Sequence, residues 1–136
     1  MKRFISLLLC LVIICSFGCT VVNAEAEQIS PRYNNLAYTS SSFSIDSNGI
    51  ATVYAGYTGY SGITTGAKIT ILLEKKNLVF FWKDIEEWVI TSSDYYGNFE
   101  RSCAVSSGNY RVTITFEISG SGGATDVYEV EHKDSY

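Results

Sequence analysis

The run from Tyr110 to Ser119 constrains this chain more than any other segment. Tyr110, Val112, Ile114, Phe116 and Ile118 alternate with Arg111, Thr113, Thr115 and Glu117. On an extended backbone successive side chains point to opposite faces, so this pattern makes one oily face and one wet face. A strand of that kind is stable only when a second layer covers its oily face. The segment therefore calls for two stacked sheets.

Other segments supply the remaining strands. Tyr38 to Ile45 reads as the first, with Phe43 and Ile45 inward. Asp46-Ser47-Asn48-Gly49 follows, and Asn-Gly offers two residues that tolerate the positive φ of a tight hairpin. Ile50 to Tyr60 is the return strand. It sets Ala51, Val53, Ala55 and Tyr57 on one face and Thr52, Tyr54, Thr58 and Tyr60 on the other. Ser61 to Ala67 reads as a loop. Lys68 to Lys76 is a strand with Ile69, Ile71 and Leu73 inward. Phe99 to Val105 and Asp126 to Lys133 complete the set, with Tyr128 and Val130 inward on the last.

Leu78 to Ile90 supports two readings. Phe81, Ile85, Trp88 and Val89 have helical spacing, while Trp82-x-x-Ile85-x-x-Trp88 suits a bulged strand. The neighbouring strands favour the strand. The expected fold class is all-β, a single antiparallel Ig-like β-sandwich of about seven strands. Gly108-Asn109-Tyr110 predicts a tyrosine corner, in which the phenol bonds a backbone group across the bend. The inter-sheet disulfide of antibody domains is not expected.

The first residues carry a different signal. Lys2 and Arg3 precede an apolar run from Phe4 to Phe17, and Val22-Asn23-Ala24 offers a small residue for cleavage. This is the pattern of a secretory signal peptide over 1–24, leaving a β-sandwich domain over 25–136 whose first part, 25–37, is extended. Cleavage after Ala26 is the alternative site. An uncleaved anchor and a lipidated Cys19 are rival readings, but Ser16-Phe17-Gly18 is a poor lipobox. The expected location is secreted and extracellular.

Charge narrows the partners. Fourteen acidic side chains against ten basic ones give a net charge of −4, and loss of Lys2 and Arg3 makes it more negative. Nucleic-acid affinity begins with lysines and arginines neutralising phosphates, so no nucleic-acid partner is expected. The same balance argues against docking on anionic lipid, and no stable membrane insertion is expected after signal cleavage. Cys10, Cys15 and Cys19 leave with the signal, so Cys103 has no partner for an internal disulfide. Its alternation with Phe99 and Val105 predicts a buried thiol.

The chain resembles an uncharacterised family of small secreted β-sandwich proteins from Gram-positive Firmicutes. The matching pieces are Ile29-Ser30-Pro31-Arg32-Tyr33-Asn34-Asn35, Gly49-Ile50-Ala51, Leu73-Glu74-Lys75-Lys76, Trp82-x-x-Ile85-x-x-Trp88 and Ser107-Gly108-Asn109-Tyr110-Arg111-Val112. Leu78-Val79-Phe80-Phe81 departs from the pattern, where a polar turn is more usual. The resemblance implies export, an Ig-like fold and a strand from Trp82 to Trp88. It implies no activity, ligand or catalytic residue.

Catalysis needs reactive groups that converge. His132 is the sole histidine and reads as solvated, beside Lys133. Glu86 and Glu87 are adjacent and point opposite ways on a strand. Asp46-Ser47-Asn48-Gly49 looks like half a calcium loop, but its oxygen ligands stop there. No catalytic residue, metal or cofactor is expected.

Binding remains. Tyr54 and Tyr60 share a strand face with Gly56 between them, and a glycine leaves room for a ligand or another backbone to approach. Tyr95-Tyr96 is a second aromatic candidate. Such rings can stack on sugars or anchor a protein. Tyr54, Tyr60, Tyr95 and Tyr96 are thus the candidate ligand contacts, and Ser61–Ala67 and Tyr95–Asn98 the candidate contact loops. The expectation is a secreted, non-catalytic binding module for an unknown protein or glycan, its oligomeric state open. The alternatives are a structural or self-assembling extracellular protein and a secreted bacteriocin-like toxin.

Overall fold

A computed structural model describes residues 32–136. The signal segment, its cleavage sites and Cys19 lie outside the described residues. The strands are β1 (Leu36–Ile45), β2 (Ile50–Gly59), β3 (Thr64–Asn77), β4 (Phe81–Ser92), β5 (Tyr96–Ala104), β6 (Asn109–Gly120) and β7 (Asp126–Ser135). They form a three-stranded sheet, β1-β2-β5, and a four-stranded sheet, β4-β3-β6-β7. Every pairing is antiparallel. The arrangement is an all-β two-sheet sandwich, with β4 joined to β3 in the larger sheet.

The inner faces follow the alternation. Ala51, Val53, Ala55 and Tyr57 of β2 are buried, as are Ile69, Ile71 and Leu73 of β3 and Tyr110 to Ile118 of β6 on alternate positions. Ala51 and Ala55 of β2 belong to the same buried cluster as the bulkier Ile114 and Phe116 of β6. The tyrosine corner is present: the Tyr110 phenol donates to the Ser106 carbonyl at 2.5 Å.

From Phe81 onward the Leu78–Ile90 stretch is a strand with a bulge, and Leu78–Phe80 form the turn before it. Leu73 pairs with Glu86 and Glu74 with Asp84, so Ile85 is the extra residue. The bulge shifts the side-chain phase. Trp88 then packs at the core margin, while Trp82 lies on the outer face against the Arg111 guanidinium, 4.6 Å from its ring.

Three local expectations change. The β1–β2 connection needs positive φ only at Gly49, not at Asn48. Gly49 N donates to the Asp46 carbonyl and Asp46 N to the Ile50 carbonyl, and the Asp46 carboxylate caps the turn by accepting from Asn48 N and Ile50 N. β3 begins at Thr64, four residues ahead of the expected Lys68, where the Thr64 hydroxyl donates to the Asn35 carbonyl and accepts from Tyr60 N. Asn35, expected in the extended lead-in, is fully buried.

One flank of the sandwich is closed by side chains rather than by a ladder. β7 lies alongside β1, and three of its residues reach β1 or the residue before it. The Asp126 carboxylate accepts from Asn35 N and Leu36 N, His132 meets the Ser41 hydroxyl, and the Asp134 carboxylate accepts from Ile45 N.

Candidate functional site

Register places the tyrosines. Tyr38 of β1 pairs with Thr58 of β2, and Thr58 pairs with Tyr96 of β5. Directly opposed residues share a face, so Tyr38, Thr58 and Tyr96 form one row across the outer face of the smaller sheet. Ser40, Gly56 and Asn98 form the next row, and Ser42, Tyr54 and Glu100 the one after. This face is hydroxyl- and amide-rich, with aromatic rings gathered at one end.

Tyr38, Tyr60, Tyr95 and Tyr96 are exposed at that end. The rings of Tyr95 and Tyr96 meet edge to face at 5.0 Å. Gly59 N donates to the Tyr95 carbonyl at 2.6 Å, which ties the backbone of Tyr95 beside that of Tyr60. Tyr57, on the inner face, adds a second anchor: its phenol donates to the Asp94 carbonyl at 2.8 Å, and its ring stacks on Phe99. The turn that presents Tyr95 is therefore pinned from the core.

Tyr54 stands apart from that cluster. It is half-buried, and its phenol donates to Asn98 Oδ1 at 2.6 Å. A Cβ added to Gly56 would lie 2.6 Å from both Asn98 Oδ1 and Ser40 Oγ. The space over Gly56 is therefore filled by polar side chains of the sheet itself. The expected ligand approach at Gly56 is not what the glycine serves; it lets Tyr54, Asn98 and Ser40 close over the strand.

Sequence reasoning missed Tyr38. Nothing in its local pattern marks it, and only the β1–β2 register brings it into the row with Tyr96. A shallow cleft of about 220 Å³ opens beside it, lined by Tyr33, Leu36, Tyr38, Thr39 and Tyr128. Tyr33 and Tyr128 meet edge to face there, 6.2 Å apart.

The groups weighed for catalysis are arranged as follows. His132 was expected to be solvated but is half-buried on the inner side of β7, with Nε2 2.7 Å from Ser41 Oγ. A Ser–His relay also needs a carboxylate that orients the ring. Among the described residues no carboxylate hydrogen-bonds His132, and the pair sits in the β1–β7 seam as a clasp. Cys103 faces the core margin but stays partly exposed, a partial departure from the expected burial. Burial, with help from the charge of Glu86, pushes its thiol above the ordinary range, the opposite of what a nucleophilic thiolate requires. The Asp46 carboxylate is held below the usual range chiefly by the Ile50 amide, then by Asn48. Its oxygen is engaged by the turn. Among the described residues no cluster of three or more acidic, histidine or cysteine side chains is placed to hold a metal ion.

The chain matches no family model, no curated protein and no solved structure.

Proposed function

We propose that this protein is an exported, non-catalytic recognition domain whose contact surface is the tyrosine end of the smaller sheet. The observation that supports the reading is the gathering of Tyr38, Tyr60, Tyr95 and Tyr96 at one end of a hydroxyl-rich face. Tyrosine presents a wide apolar ring and a polar tip at the cost of only two side-chain torsions, which suits recognition. A neighbouring tyrosine-lined cleft adds concavity of the size of a single small ring or side chain. A glycan or an extended protein segment fits these features, since both present flat apolar patches edged by hydroxyl or amide groups.

The test combines a glycan array with capture of partners from the native cell exterior, using wild type and Tyr38→Ala/Tyr96→Ala. Loss of the captured ligand in the double variant, with the near-ultraviolet spectrum otherwise intact, supports the assignment. Ligands retained at wild-type strength by the variant would move the contact surface elsewhere and end this reading.

A further inference from the structure

The opposite end of the sandwich carries a second surface that the tyrosine reading leaves unused. At the tip of the β3–β4 hairpin, Leu78, Val79, Phe80 and Phe81 are 76, 69, 84 and 67 % exposed. Four consecutive large apolar residues in water are rare outside contact sites. Leu78 also has φ of +62°, a conformation that suits glycine or asparagine and disfavours a branched apolar residue. A turn serving only to reverse the chain would carry one of those. Leucine stands here with no core contact to offset the strain.

The residues behind the tip define its occupant. The register pairs Asn77 with Phe81, Lys76 with Trp82 and Lys75 with Lys83. Moving back from the tip, an apolar cap gives way to a layer with one lysine and one indole, then to a layer with two lysines. Each step along a strand is about 3.3 Å, so the cap projects roughly 7 Å beyond the Lys76–Trp82 layer. Apolar groups of interfacial proteins enter the headgroup boundary by about 5–10 Å, with lysines at phosphate level and indoles between. Arg111 holds the Trp82 ring from behind, and Glu74 pairs with that same guanidinium. A cavity of about 550 Å³ opens beside the layer, with Lys76, Lys133, Trp82 and Asp134 on its wall.

We propose that the Leu78–Phe81 tip inserts into an anionic lipid surface, with Lys76 and Lys83 seated on the phosphates, while Lys75 is held by Ser106 and Ser107. The chain is acidic as a whole, which argued against such docking. That argument concerns the summed charge at long range. At contact only charges within about a Debye length of the phosphates count, roughly 8–10 Å, and there the lysines of the two layers behind the tip stand ahead of Glu74 and Asp84. A convex tip also favours a fluid hydrocarbon layer over a protein, which would need a matching groove.

The test uses the full chain and a readout local to the hairpin. Trp88→Phe leaves Trp82 as the sole indole. On vesicles of phosphatidylglycerol and phosphatidylcholine, Trp82 emission is expected to shift to the blue and to be quenched by lipids brominated on the acyl chain. Both signals are expected to vanish in Leu78→Ser/Phe80→Ser and to fall at least tenfold in Lys76→Glu/Lys83→Glu or on pure phosphatidylcholine. The N-terminal apolar run is identical in every variant and cannot produce these differences. Unchanged Trp82 emission on anionic vesicles, or emission insensitive to the tip substitutions, overturns the proposal. So does concentration-dependent self-association lost in Leu78→Ser/Phe80→Ser with no lipid response, which would assign the tip to a second copy of the chain.

Discussion

The Asp126 carboxylate accepts hydrogen bonds from two consecutive amides, Asn35 N at 2.6 Å and Leu36 N at 2.9 Å. The Asn35 side chain answers across the same gap. Its Nδ2 donates to the Ala124 carbonyl at 2.8 Å, and its Oδ1 accepts from Gly122 N at 3.1 Å. The two residues thus lace the start of β1 to the β6–β7 loop and the start of β7. Among the described residues no buried side-chain polar atom is left without a partner.

Removing the Asn35 amide strands the groups it serves. Asn35→Ala is expected to lower unfolding free energy by about 2–4 kcal/mol, from lost hydrogen bonds and from partners left unpaired in a buried site. Asp126→Asn keeps the shape but loses the charge that strengthens both amide bonds, and is expected to cost about 1–2 kcal/mol. Urea denaturation midpoints, with unchanged slopes, measure both. Costs below roughly half a kcal/mol would mean that water replaces the lacing freely.

Tyr110 is the counterpart at the other end. Its ring is buried, and its phenol reaches the Ser106 carbonyl. Tyr110→Phe keeps the ring and deletes one hydrogen bond, so about 1 kcal/mol is expected. Phe116→Ala empties a fully buried site and is expected to cost about 3–5 kcal/mol. A Tyr110→Phe cost equal to that of Phe116→Ala would show that the corner governs folding as a whole rather than one bend.

The contrast between these sites explains what could be read from the chain. Val112, Ile114 and Phe116 announce their strand because local alternation follows directly from the pleat. The β4 bulge was readable as one of two options, since Trp82, Ile85 and Trp88 fit either a helix stripe or an interrupted strand; the strand carries the bulge at Ile85. Asn35, Asp126, Ser41 and His132 announced nothing. Their partners lie about 90 positions away, across a seam set by which strands end up adjacent. Of the candidate contacts, Tyr60, Tyr95 and Tyr96 come to one end of the sheet, Tyr54 lies a step inward over Gly56, and Tyr38 joins only through register. The apolar tip was visible as an oddity of composition. Its meaning needed the hairpin pairing that puts Lys75, Lys76, Trp82 and Lys83 in ordered layers behind it.

Cys103 provides a chemical check on the β4–β5 flank. Burial raises its thiol pKa, and Glu86 adds to the effect. At pH 8 the folded protein is expected to modify Cys103 several-fold more slowly than the urea-unfolded chain, scored by mass spectrometry of the Cys103 peptide. Glu86→Gln is expected to speed modification in the folded state only. Equal rates in folded and unfolded protein would place the thiol in open solvent.

Tyr57 couples the stability of the fold to alkaline pH. Burial is the main cause that raises its phenol pKa, Asp94 adds to it, and a hydrogen bond with Ser92 pulls the other way. Tyr33 shifts in the same direction, again mainly through burial. In the unfolded chain a tyrosine ionises near pH 10. Because the folded state holds the proton more tightly, the contribution of Tyr57 is fully present below about pH 10 and is lost as pH rises through the folded value. Tyr57→Phe cannot ionise, but it gives up the hydrogen bond to the Asp94 carbonyl, worth about 1 kcal/mol at pH 8. The wild type is therefore expected to start more stable at pH 8 and to lose stability faster than Tyr57→Phe between pH 9.5 and roughly pH 11. Denaturant midpoints across that range decide it. Parallel pH profiles for the two proteins would mean that the Tyr57 phenol ionises as readily in the fold as outside it, and equal stability at pH 8 would mean that its contact with Asp94 does not hold the turn carrying Tyr95.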